Sequence, residues 1–290
     1  MIRTLIHILV ISAFTAPLPA KKMVVLVYPF VNTGAGEYSW VSAGMTDTVV
    51  SDLNTLKDIY VISEADRKSA VKEIELGQTG LFDEKAVARA GTLAGADLIF
   101  TGSYMVRDGK IRVHAKLINV ATGVLEKSVK IDGTMDGIFD VQDRVVLELM
   151  SGTEKAAIRN VAKVSISGEE KENIKNKPRP GLDAYEWYAR GMETRDLDPG
   201  KGLEYFKKAF SVDPTYAAAY IKAGYLEGSE FNRYAVAMEH LKTAEKILIA
   251  QNRREHSEYA FLLMNFGIVC TVKRDLPAAL EYYTRSKELY

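Results

Sequence analysis

The sequence predicts an α/β mixed-sheet domain, built of strand–helix units ending in an antiparallel meander, followed by an all-α superhelix of helix-pair repeats. Three observations carry this. Between Ala96 and Gly133, Ile111, Val113, Ala115 and Leu117 alternate with Arg112, His114 and Lys116, the period-two pattern of a strand with one buried face. Upstream, a nearly all-apolar run from Met23 to Phe30 gives way to apolar residues at helical spacing, the alternation of an α/β layer structure. In the C-terminal third, Gly191, Gly224 and Gly267 are followed by Phe206, Leu241 and Tyr283, at spacings of 15, 17 and 16 residues.

Taken in order, the chain opens on Arg3, an apolar run from Leu5 to Thr15 and a Leu18-Pro19-Ala20 cleavage-like site, so residues 1–20 read as a secretory signal peptide. No Cys follows that run to serve as a lipid-attachment site, and the single Cys270 cannot form an intrachain disulfide. Met23 to Phe30 is a central strand, and Trp40, Val41, Met45, Val49, Val50 and Leu53 mark the core face of a helix over 38–56. A short strand is predicted at Ile59 to Ser63, then helices at Glu64 to Leu76 and Asp83 to Leu93. In the meander, strands Leu98 to Val106 and 110–119 are joined by Asp108-Gly109, a pair that tolerates positive φ at both turn positions. Ala121-Thr122-Gly123 turns into a third strand, Leu125 to Ile131, and a helix over Gly137 to Met150 closes a domain spanning 21–151.

Residues 152–182 are expected to form a helix and a linker. Its SGEEKENIKNKPRPG stretch is charged, lacks aromatics and holds too little apolar surface to offset ordering entropy. From 183 to 290 about three repeats follow. Trp187 and Gly191, then Gly202, Phe206, Ala209 and Pro214, fit the two helices of a tetratricopeptide (TPR) unit. Tyr220, Gly224, Ala237, Leu241 and Ala244 form the second unit, and Leu263, Gly267, Ala279, Tyr283 and Ser286 the third. With the first-helix Gly as register mark, the inward positions are Tyr185, Tyr188, Met192 and Arg195; Ile221 and Tyr225; and Phe261, Met264, Ile268 and Thr271. These residues are the expected partner-binding face, since Tyr, Met and Arg are enriched in interface cores. The alternative is packing on neighbouring helices or on the first domain, because a three-unit array has little interior of its own. A carboxylate clamp on this face wants Asn with repeated Lys or Arg, and only Asn265 fits.

The segments GADLIFTGSY, DGKIRVHAKLINVATG and DGIFDVQDRVVLEL together resemble the TolB amino-terminal-like family, which is related to the FlgO-like and CsgG-like proteins of bacterial envelopes. The resemblance covers Met23 to Met150 and implies a fold and a cell compartment more firmly than an activity. It implies a periplasmic location, with outer-membrane association left open.

Lys plus Arg equals Asp plus Glu at 38 each, so the zero net charge provides no electrostatic footprint for nucleic acid. The Asn32-Thr33-Gly34-Ala35-Gly36-Glu37 loop follows a strand as a phosphate cradle would, yet it lacks the ending of a P-loop and the third Gly of a dinucleotide fingerprint. His114, His240 and His256 have no second ligand at metal-binding spacing, and Asp97, Asp108, Asp132, Asp136 and Asp140 suit caps and turns. No nucleophile–base pair stands out, so no catalytic residue, cofactor or metal is expected. The expected function is a non-enzymatic periplasmic scaffold that binds a protein or peptide on its repeats and has no integral membrane span in the mature chain. The alternatives are a subunit of a CsgG-like secretion complex, or a regulatory domain for a small molecule or nucleotide.

Overall fold

The computed structural model describes residues 22–75, 84–151 and 165–289; the expected signal peptide and the helix expected over 151–162, beyond Ser151, lie outside these residues. Strand β1 (Met23–Val27) pairs in parallel with β3 (Ile59–Val61) on one side and β4 (Leu98–Arg107) on the other. Flanked on both edges, it is the central strand that its apolar run requires. Helix α1 (Trp40–Leu53) connects β1 to β3, and α2 (Glu64–Glu75) and α3 (Glu84–Ala94) lead from β3 to β4. From β4 the chain turns back into β5 (Lys110–Asn119) and β6 (Leu125–Thr134), giving the sheet order β3-β1-β4-β5-β6. A two-residue strand, β2 (Val31–Asn32), pairs with β4 and is too short to leave any periodicity in the sequence.

The Asp108-Gly109 turn has φ of 50° and 69°, the left-handed pair that a two-residue hairpin needs. At the next turn the Asn119 side chain accepts from the backbone N–H groups of Ala121 and Thr122 at 3.0 and 3.2 Å, a local bond that starts the reversal. Strand β5 alternates as predicted from Ile111 to Leu117. Leu98, Phe100, Tyr104 and Val106 join Ile111, Val113, Ala115, Leu117 and Ile131 on the face covered by α1 and α4 (Ile138–Met150). The opposite face is smaller: Leu26, Ile99 and Ile118 pack with Ala70 of α2 and Ala90 of α3.

The charged stretch after the domain forms a docked helix, which corrects its reading as a linker with too little apolar surface to order. Ser167 and Glu170 form a capping box on α5 (Gly168–Lys175), and a Glu170 carboxylate oxygen also accepts from Lys57 N–H at 2.9 Å. Ile174, the one apolar residue of the helix, is fully buried in the first domain's core. Beyond it Lys177 pairs with Asp52 of α1, and Arg179 pairs with Asp143 of α4 and lies over the Phe139 ring at 5.6 Å. The charges find fixed partners of opposite sign, which composition cannot reveal.

Three helix pairs follow: α6 (Leu182–Thr194) with α7 (Pro199–Val212), α8 (Ala217–Ser229) with α9 (Tyr234–Ala250), and α10 (Ser257–Val272) with α11 (Leu276–Leu289). Each pair is held by the close approach read from the sequence. A Cβ on Gly191 would lie 2.6 Å from the Phe206 ring, one on Gly224 2.9 Å from Leu241, and one on Gly267 2.5 Å from Tyr283. Asp198 caps α7 by accepting from Lys201 N–H at 2.9 Å, with Pro199 in the first turn where its missing N–H costs nothing.

Candidate functional site

The inner face of the repeats meets the α/β domain. At Gly44 of α1, an added Cβ would stand 2.6 Å from Tyr185 Oη and 2.8 Å from the Ala189 methyl, so α1 and α6 touch backbone to side chain. The Tyr185 ring packs edge-on against Trp40 and Phe139, and its hydroxyl accepts from Gln142 Nε2 at 2.6 Å. One helical turn past Gly44, Asp47 accepts from Tyr188 Oη at 2.7 Å. Tyr185 and Ala189 therefore belong to the first domain's core, while Tyr188 and Met192 belong to the repeats' core with Phe206 and Leu226.

A buried ionic seam continues along this contact. Arg195, 7% exposed, pairs with Glu64 in the first turn of α2; Lys222, 4% exposed, lies 3.5 Å from Asp47 and 4.0 Å from Glu64. Lys68 bridges Glu64 at 2.8 Å and Asp196 at 2.6 Å. Burial raises the Glu64 pKa, but Lys222, Arg195 and Lys68 outweigh it and hold the carboxyl below its usual range. Burial likewise lowers the Lys222 pKa, and Asp47 and Glu64 recover only part of that shift. Lys222 Nζ also lies 4.7 Å from the centre of the Phe261 ring, a cation–π contact that offsets part of its lost hydration.

The residues expected to bind a partner thus divide into two groups. Tyr185, Tyr188, Met192 and Arg195 are inward and closed off by α1 and α2, and Ile221 is buried in a separate core with Leu241 of α9 and Phe266 of α10. Their place as an open partner surface is corrected: the face that they line is filled by this chain's own first domain. Tyr225, Phe261, Met264 and Ile268 remain half-buried beyond the seam, and Thr271 is exposed with its hydroxyl on Gly267 O at 2.9 Å. Asn265 is buried and donates to Phe261 O at 2.8 Å, so it is committed to its own helix.

Sequence reasoning passed over Asp47, Glu64, Arg67 and Lys222. Two signals were available. Helix α1 carries Ala43 and Gly44 on the side away from its Val41, Met45 and Val49 face, small residues that let a second helix approach. Lys222 is also a lone cation in the otherwise apolar stretch AAAYIKAGYL.

The remaining motifs are committed to structure. In the loop over 32–37, Gly34 N–H donates to Asn32 Oδ1 at 2.9 Å, Asn32 Nδ2 to Ala35 O at 2.9 Å, and Thr33 N–H to Tyr104 O at 2.8 Å. Those donors are spent within the loop or on β4. His114 stands in register with Lys130 and Ser103 on the sheet, and His240 packs against Phe210 and Tyr220. The Cys270 thiol is buried, which raises its pKa. Among the described residues no group of three or more His, Cys, Asp or Glu could hold a metal ion, and no helix is long and apolar enough to cross a membrane.

The fold and the seam define a two-part molecule, a mixed-sheet domain gripped by helical repeats. No known family profile matches the sequence. Over 219 residues the chain is 24% identical to "Putative adenylate cyclase 3" of Rhizobium meliloti (strain 1021), an alignment that covers 74% of this chain and 34% of that protein. The chain thus spans about a third of the length of that relative. Among solved structures it is similar to the C-terminal domain of LpoB from Salmonella enterica, at 19% identity and a TM-score of 0.34, over 40% of this chain and 84% of that one. The LpoB C-terminal domain from Escherichia coli gives 20% and 0.33, over 42% of this chain and 89% of that one. Lipoprotein GNA1162 from Neisseria meningitidis gives 15% and 0.33, over 47% and 99%. At these TM-scores the structural likenesses carry no functional argument.

Proposed function

We propose that this chain is a non-enzymatic protein-interaction scaffold of the bacterial envelope, with a TolB-like first domain and TPR-like repeats that capture a protein or peptide. One observation carries the reading: beyond the sealed seam, Tyr225, Phe261, Met264 and Ile268 stay half-buried on the inner positions of α8 and α10. Such a stripe is what a partner covers at the core of an interface. The envelope location rests on the pattern of residues 1–20 and on the family resemblance; N-terminal sequencing of the exported product should begin near Lys21.

The binding test is Tyr225→Ala in a capture assay from envelope extract. Truncating an aromatic anchor costs on the order of 2 kcal/mol, roughly thirtyfold in affinity. Capture should fall by that factor with an unchanged melting temperature. Unchanged capture would show that the repeats' inner face is not the partner surface.

A second reading is favoured by the cyclase-named relative, because an alignment of 219 residues is longer than either half of this chain and so draws on both. In that reading the sheet domain and repeats act together as a non-catalytic module of a larger nucleotide-cyclase protein. Formation of cyclic AMP by the purified chain from ATP and Mg²⁺ would sink both readings as stated.

A further inference from the structure

Among the described residues the charges along the seam do not balance. Arg67, Lys68, Arg195 and Lys222 face Asp47, Glu64 and Asp196, which leaves one cation in excess. The nearby Arg253 and Glu258 pair with each other at 3.0 Å and do not alter the count. Every carboxylate is committed: Asp47 to Tyr188 and Lys222, Glu64 to Arg195 and Lys68, Asp196 to Lys68.

The excess cation is Arg67. It sits on α2 one turn beyond Glu64 and is half-buried; its backbone N–H donates to Ser63 O at 2.9 Å, but among the described residues its guanidinium makes no hydrogen bond and no ion pair. Burial lowers its pKa despite the pull of Glu64 and Asp47. A guanidinium carries five donors in a planar fork that fits a carboxylate with two parallel bonds, so leaving it partly dry and unmatched costs free energy. Its neighbour Lys222 lies over Phe261, and Tyr225 lies one turn along α8 from Lys222. The unmatched fork and the half-covered apolar stripe are therefore continuous with one interface.

We infer that the seam anchors an acidic side chain of a partner peptide, with Arg67 taking the carboxylate and Tyr225, Phe261 and Met264 taking the adjoining apolar side chains. This rests on the reading of the repeats' inner face as the partner surface and names the chemistry of what it binds. The first domain is then part of the binding site, so the repeats alone would be incomplete.

The test is fluorescence anisotropy on the full chain with a labelled, end-capped amphipathic peptide of Leu and Glu, and with its twin carrying Gln for Glu. The Glu peptide should bind the wild type at least tenfold more tightly than the Gln twin. Arg67→Gln should erase that preference, Arg67→Lys should erase most of it, and Lys72→Gln, an exposed cation on the same helix, should leave it intact. Equal binding of the two peptides, equal losses in Arg67→Gln and Lys72→Gln, or no binding of either peptide would each overturn the inference. The scaffold reading fails separately. If capture from extract is lost in Tyr225→Ala but kept in Arg67→Gln, the scaffold stands and the acid anchor falls; Arg67→Lys retains the buried charge should Arg67→Gln not fold.

Discussion

Gly44 and Asp143 show how single residues hold the two halves in place. Replacing Gly44 with Val puts side-chain atoms where Tyr185 Oη and the Ala189 methyl already stand, and neither can move without shifting α6. Overpacking of this kind costs about 1–3 kcal/mol, so Gly44→Val should lower the melting temperature by several degrees. Gly36→Ala, where an added Cβ meets nothing within 4 Å, should not. At Asp143, burial outweighs the pull of Lys177 and Arg179 and raises the carboxyl pKa to about 6. The folded state thus binds more protons than the unfolded state between about pH 4 and pH 6, so this group's stabilisation is fullest below that window and lost as pH rises through it. Urea unfolding of the wild type and Asp143→Asn should show the wild type's relative stability falling from pH 4 to pH 6 and level above pH 7. A difference constant with pH would refute the shift.

The strap over 165–181 shows where element-scale reading succeeded and where it stopped. The meander, α1 and α4 were legible because burial on one face imposes a period of two or 3.6 on the residues themselves, as Ile111 to Leu117 illustrate. The helix pairs were legible because a close approach needs a small residue opposite a large one, as Gly191 with Phe206 shows. The strap has no period. Its order comes from Lys177 meeting Asp52 and Arg179 meeting Asp143, partners 125 and 36 residues away, from Glu170 meeting Lys57 N–H, and from the burial of Ile174. The seam was hidden for the same reason, since Asp47 and Gly44 lie outside the apolar face of α1 and gain their partners only when α6 is placed against them. Limited proteolysis should therefore spare residues 167–181 in the wild type. Ile174→Ala removes a fully buried side chain at a cost of roughly 2–5 kcal/mol and should open that stretch to cleavage first. Cleavage of the wild type there would mean that the strap is not docked in solution.

Across the whole molecule α6 belongs to two cores at once, with Tyr185 and Ala189 in one and Tyr188 and Met192 in the other. Neither half can lose α6 without exposing its own interior, so the two should unfold in a single transition at neutral pH, with tryptophan fluorescence, from Trp40 on α1 and Trp187 on α6, coinciding with far-UV circular dichroism. Arg195→Gln should separate them. It leaves Glu64 with Lys68 and Lys222 but strips a buried pair, and breaking such a pair costs about 3–5 kcal/mol. Acid should act in the same direction. Because Lys222, Arg195 and Lys68 hold the Glu64 pKa below 4.5, its contribution is fully present above that value and is lost as pH falls below it, the opposite sense to Asp143. Below about pH 4.5 the wild-type fluorescence and dichroism transitions should therefore move apart. In Glu64→Gln the spacing between them should not change with pH across the same range. Two separate transitions in the wild type at pH 7 would show that the seam holds the halves together without coupling their folding.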